Sequence, residues 1–216
     1  VFAENYLEKT EFYDAHPPLG KLIIASGVKA LGNNPIGWRV ANAIVGLLLI
    51  GAIYGFTYDL TSSRRAALLA MTFVAIDPMA LVESRVGLIN IYLAFFSIMG
   101  LWFFWRWWKS EYHNSLALGI AIIFFSFAAS VKWIGIGALG AAGLFWLFNF
   151  LTKPNKSRDR LRNLAWLLLV PVIYLASFIP DILMRHDSLF SRQAWEYLSW
   201  WHASSRKSKT SCGTTA

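Results

Sequence analysis

Six stretches of the chain are almost uninterrupted in apolar residues, at about 37–58, 66–82, 87–108, 115–131, 133–151 and 164–180. Each reaches or approaches the ~20 residues that a helix needs to cross a bilayer, the second and fourth being the shortest. None shows the period-two alternation of a membrane barrel. Leu, Ile, Ala, Phe and Gly fill them, and a helix satisfies its own backbone hydrogen bonds in lipid. The pattern therefore predicts an all-α integral membrane protein, a polytopic helical bundle with six transmembrane helices over 37–180. Residues 1–36 and 181–216 read as flanking segments. Within the first, residues 19–31 read as a short amphipathic helix lying on the outer membrane surface.

Composition supports this and removes other classes. The 216 residues are 56% hydrophobic, 16% aromatic and only 15% charged, with a mean hydropathy of +0.47. Soluble domains hold about 25% charged residues, and disorder needs low hydrophobicity. One cysteine excludes a disulfide framework and a cysteine-based zinc site. No His, Asp or Glu cluster has metal-ligand spacing, so neither metal nor cofactor is expected. The net charge of +8 does not indicate nucleic acid, because the basic residues fall in short gaps between apolar runs instead of on one face.

Those gaps set the orientation. Arg64, Arg65, Arg106, Lys109, Lys153, Lys156, Arg158, Arg160 and Arg162 fall on one side, against Arg85 and Lys132 on the other. The richer side is cytoplasmic by the positive-inside rule, which puts both flanking segments outside. The membrane is then the plasma membrane of a bacterium or the endoplasmic reticulum of a eukaryote. With no signal peptide or span ahead of Val1, the chain is expected to be a piece of a longer protein.

Arg85 and Lys132 carry the first hint of chemistry. Both lie between spans with almost no loop, on the side where basic residues are disfavoured. Snorkelling to headgroups is one reading. The other is that two cations at one depth hold an anion at the membrane boundary, most simply a lipid phosphate. Asp14 and His16 precede the paired prolines Pro17 and Pro18 on a constrained turn, which reads either as a capped surface turn or as part of the same site. Asp77, ahead of Pro78 within the second run, is expected to pair with Arg85, with a part in the site as the alternative. The run Trp102-Phe103-Phe104-Trp105-Arg106-Trp107-Trp108 reads as an interfacial belt.

Taken together, Asp14-Ala15-His16-Pro17-Pro18-Leu19-Gly20-Lys21, then Glu83-Ser84-Arg85, then Ser130-Val131-Lys132-Trp133-Ile134-Gly135 resemble the protein O-mannosyltransferase family. These are membrane glycosyltransferases of the GT-C class that take a sugar from a polyprenyl or dolichyl phosphate carrier. The resemblance runs from about Phe12 to Tyr197. It implies that Arg85 and Lys132 hold the lipid-linked phosphate, that Asp14 and His16 lie near the acceptor and sugar, and that Lys21 closes that motif. Gln193 and His202 match a later external loop more loosely. The family's Asp-Glu pair, whose Asp is the expected general base, has no counterpart and by spacing falls before Val1. Asn90 stands where many members have Asp.

The implied reaction moves a sugar, mannose by the resemblance, from a polyprenyl-phosphate donor to a hydroxyl acceptor such as protein Ser or Thr, with inversion. The phosphate leaves already ionised, so cations replace a general acid, while a carboxylate takes the acceptor proton. The 216 residues alone are expected to be inactive. Membrane lipid is a further partner, and pairing into a dimer stays open. A transporter or channel is the first alternative, but of its signals only Asp77-Pro78 is present. A non-catalytic lipid-binding subunit is the second.

Overall fold

The computed structural model describes residues 2–8, 16–152 and 163–185, and among these every regular element is helical. A short α1 (Phe2–Glu8) is followed by α2 (Leu19–Leu31) and the long α3 (Pro35–Thr61). Then come α4 (Arg64–Ile76), α5 (Pro78–Arg85), α6 (Asn90–Lys109) and α7 (Ser115–Val131). A 3-10 turn at Trp133–Gly135 leads into α8 (Ile136–Thr152). After a second 3-10 segment, Asn163–Leu168, α9 (Leu169–Ala176) and α10 (Ile179–Arg185) complete the described chain.

Local chemistry places the boundaries. Asn34 caps α3, its Oδ1 accepting from the N–H groups of Ile36 and Gly37, with Pro35 in the first turn where its missing N–H costs nothing. Ser63 and Asn114 cap α4 and α7 in the same way. Gly32 ends α2 at φ 84°, a conformation that glycine adopts without strain. Gly20 serves close approach instead: a Cβ there would lie 2.9 Å from Ile89 Cβ and 3.2 Å from Val131 Cγ1. It lets the start of α2 press against the α5–α6 loop and the end of α7.

Many large apolar side chains face outward, while several polar ones are buried. Leu47, Phe73, Leu144 and Phe148 are 68–71% exposed, whereas Asn42, Ser126, Ser130, Glu83 and Lys21 are buried. Such an inversion suits lipid, where apolar side chains need no cover and polar ones need partners. The protein is an integral membrane protein. Two helical stretches are long and apolar enough to cross a membrane, Pro35–Thr61 and Trp133–Thr152. Arg64–Ile76 with Pro78–Arg85 makes a third if that pair, bent by 60°, is one broken span.

All six apolar runs contain helix, but they differ in length from the six full spans expected. The run 66–82 is broken at Asp77, which is extended (φ −64°, ψ 122°) as residues before proline prefer to be. Ser115–Val131 and Ala165–Ala176 are shorter apolar helices. The amphipathic helix at 19–31 forms as expected, with Lys21, Ile24, Ala25 and Val28 on its buried face.

Two cores sit at opposite ends of α6. At its start, Ile91 and Tyr92 pack with Tyr6, Ile24, Leu49 and Val131. At its end, Trp107 packs with Tyr112, Leu118, Ile122 and Phe125.

Candidate functional site

The loop between α5 and α6 is held by a single buried side chain. Asn42, on α3 and wholly inaccessible, donates through Nδ2 to the carbonyls of Glu83 (3.1 Å), Val86 (2.9 Å) and Leu88 (2.6 Å). Its Oδ1 accepts from the Tyr92 hydroxyl at 2.7 Å. The carbonyls at the end of α5 have no further turn of helix to receive them, and the amide satisfies them away from water.

That anchored loop positions Asn90, the first residue of α6. Asn90 Nδ2 donates to Glu83 Oε1 at 2.6 Å, and its Oδ1 accepts from Lys132 Nζ at 2.5 Å. Lys132 lies in extended backbone between α7 and the 3-10 turn, where no helix dictates its direction. An ammonium, an amide and a carboxylate thus form a line. Glu83 is 7% exposed, and its Oε2 has no hydrogen-bond partner among the described residues.

A cavity of about 490 Å³ opens beside this line, bordered by Lys132 and Asn90, by His16 and Lys21, and by Trp38 and Leu88. Lys21 is 5% exposed and donates from Nζ to the His16 carbonyl at 3.1 Å. Two ammonium groups reach the cavity, while Glu83 stands behind Asn90 and does not border it. Among the described residues that border it, two are lysines and none is a carboxylate, a lining that suits a phosphate or another anion.

The other expected residues lie elsewhere. Arg85 is exposed and borders a separate, largely apolar recess of about 260 Å³ between α3, α4 and α5. Residues two apart on a helix point about 200° apart, so turning Glu83 inward turns Arg85 away from the Lys132 cavity. Asp77 is not the partner of Arg85. Its Oδ2 accepts from the Ala80 N–H at 2.7 Å, capping α5 across the bend, and the break abolishes the shared helical face that the pairing required. Asp14, Gln193 and His202 lie outside the described residues.

Sequence reasoning missed Asn42, Glu83 and Tyr92 as parts of the site. The signal for Asn42 was present, since a lone amide inside an apolar run needs a partner in lipid. Glu83 was visible only as a neighbour of Arg85 in the motif.

The family model for dolichyl-phosphate-mannose-protein mannosyltransferase matches residues 31–184. A polyprenol-phosphate-mannose–protein mannosyltransferase of Corynebacterium glutamicum is 29% identical over 163 residues, covering 62% of this chain and 30% of that protein. Dolichyl-phosphate-mannose–protein mannosyltransferase 1 of Saccharomyces cerevisiae is 30% identical over 211 residues, covering 82% of this chain and 25% of that protein. The structure of the S. cerevisiae protein O-mannosyltransferase Pmt1-Pmt2 complex bound to the sugar donor superposes with a TM-score of 0.73 at 25% identity. That match covers 85% of this chain and 29% of the solved one. The chain spans less than a third of the length of each of these relatives. With the matched region running from the end of α2 to the end of α9 and beyond, the chain belongs to the dolichyl-phosphate-mannose-protein mannosyltransferase family.

Proposed function

We propose that the cavity beside Lys132 receives the phosphate of a polyprenyl-phosphate-linked mannose. The protein to which these helices belong would then transfer that mannose to a protein hydroxyl. The observation that carries this reading is the line Lys132–Asn90–Glu83 beside a cavity that Lys21 also borders. It holds an ammonium in one direction at a membrane boundary, where an unattached lysine would turn to water. The excess of basic residues at the other helix ends supports an outer or lumenal location for the cavity. A partner chain belongs to the same reading, since the solved relative is a two-subunit complex.

In the transfer, the bond from the mannose C1 to the phosphate oxygen breaks and its electron pair stays on the phosphate. The acceptor oxygen bonds C1 from the opposite face, inverting it, and its proton passes to a carboxylate base. Charge grows on the leaving phosphate as the bond lengthens, and the ammonium of Lys132, already fixed, stabilises it without reorganisation. Among the described residues no carboxylate borders the cavity. His16 is the group at its rim that could orient the acceptor, and Asp14 precedes it by two residues. Arg85, the second phosphate ligand that the resemblance implies, faces the recess between α3, α4 and α5 and contributes in this reading through the wider field of positive charge and not through a direct contact.

Binding of labelled polyprenyl-phosphate-mannose to the detergent-solubilised chain tests this. Lys132→Ala is expected to weaken binding by about tenfold or more, the worth of a hydrogen bond to a charged group, and Arg85→Ala by less. Saturable binding that neither substitution alters would overturn the assignment. An Arg85→Ala loss equal to that of Lys132→Ala would mean that α5 turns on binding.

A further inference from the structure

The basic and aromatic end of α6 has no part in the reading above, yet it forms a second polar cavity. Asp59, near the end of α3, is its pivot. The Asp59 Oδ2 accepts from Trp102 Nε1 at 2.6 Å and lies 3.1 Å from Arg106 Nε. Its backbone carbonyl accepts from Trp105 Nε1 at 3.3 Å and more distantly from Lys109 Nζ at 3.5 Å. The guanidinium of Arg106 also lies over the rings of Trp102 and Phe103, 5.8 and 6.0 Å from their centroids. Arg106 is thereby held in one direction although about half its side chain is exposed.

Beside it opens a cavity of about 530 Å³, with Arg106, Lys109, Ser110 and Asn114 and the Asp59 pivot itself at its polar rim, and Phe103, Leu116 and Ile120 along its apolar wall. We propose that this cavity binds the headgroup of an anionic phospholipid, its phosphate on Arg106 and Lys109 and the start of its acyl chains against Phe103 and Ile120.

Three observations favour a lipid over a soluble anion. The lining is polar at one edge and apolar at the other, as a headgroup joined to a chain requires. The tryptophans beside it are of the kind that gather at the membrane interface. The twenty residues of α6 rise about 30 Å, so the cavities at its two ends lie about one hydrocarbon thickness apart. The charges agree as well. Asp59 offsets only one of the two cations, and Arg64 and Arg65 open the next helix five residues further on. The contact to Asp59 engages Nε, and a guanidinium carries four further N–H donors. An exposed ion pair made for stability alone contributes little and needs neither the open cavity nor a second cation.

The test is lipid retention by the chain in mixed phosphatidylcholine and phosphatidylglycerol nanodiscs, read by native mass spectrometry after transfer to detergent. The native chain is expected to keep phosphatidylglycerol in preference to phosphatidylcholine. Each of Arg106→Gln and Lys109→Gln lowers that retention about fivefold, and the double variant roughly 30-fold, from the value of one basic residue at an anionic membrane surface. Arg106→Lys, which keeps the charge, stays close to native. Arg39→Gln, an exposed cation near the other end of α3, leaves phosphatidylglycerol retention unchanged. Circular dichroism checks that every variant is folded. Equal retention of the two lipids, or a folded double variant that keeps phosphatidylglycerol as the native chain does, overturns the proposal. So does displacement of the lipid by an excess of inorganic phosphate, which would make this a small-anion site.

Discussion

The two ends of α6 hold their charges in opposite ways. At the start of the helix, Asn42, Glu83, Asn90, Tyr92 and Lys132 form a mostly buried network of hydrogen bonds between 2.5 and 3.1 Å. At its end, Asp59 and Arg106 meet at a half-open surface, 27% and 52% exposed. A buried polar network is costly when broken, because each member left without a partner has no water to turn to. An exposed pair loses little, because solvent replaces whatever is removed. The first arrangement therefore sets geometry, and the second leaves cations available to something arriving from outside.

The largest effect should come from Asn42→Leu. It removes the donor to three carbonyls and the acceptor for Tyr92 at a site with no access to water. We expect a loss of roughly 3–5 kcal/mol, read as a lowered unfolding midpoint in detergent. A midpoint within a degree or two of native would show that the loop is held by packing alone.

Glu83 distinguishes a hydrogen-bond acceptor from a charge. Glu83→Gln keeps an acceptor for Asn90 Nδ2, whereas Glu83→Leu removes it. Donor binding by the Leu variant should fall about tenfold, with the Gln variant much closer to native. Equal losses in both would assign the role to the carboxylate charge instead of to the orientation of Asn90 and Lys132.

The smallest effect belongs to the other end. Arg106→Ala should change stability by about 1 kcal/mol or less, and leave binding of the mannose donor as it is. A loss comparable to that of Asn42→Leu would erase the contrast between the two ends.

How much of this was legible differs between fold and site. The helices were legible because apolar runs of this length have one stable backbone in lipid, and α2 because its buried positions recur every three or four residues. The break at Asp77 was half legible. The aspartate and proline were visible, but their weight as an intramembrane charge obscured the ordinary chemistry of a helix cap. The pairing of Arg85 with Lys132 was argued from their shared depth and side and from the motifs that carry the resemblance. Depth fixes position along a helix axis, not direction around it, and Arg85 points to a different recess. Asn90 was noted only as a departure from a motif, and its bonds run to residues 7 and 42 positions away.

By itself the sequence determined the all-helical membrane architecture and the family. Each follows from local composition and from motifs that survive as strings of residues. Only the tertiary structure decided which polar groups share a cavity. That depends on the phase of each helix about its axis and on the crossing of helices distant in sequence, so Lys132, Asn90 and Glu83 come together while Arg85, two residues from Glu83, does not.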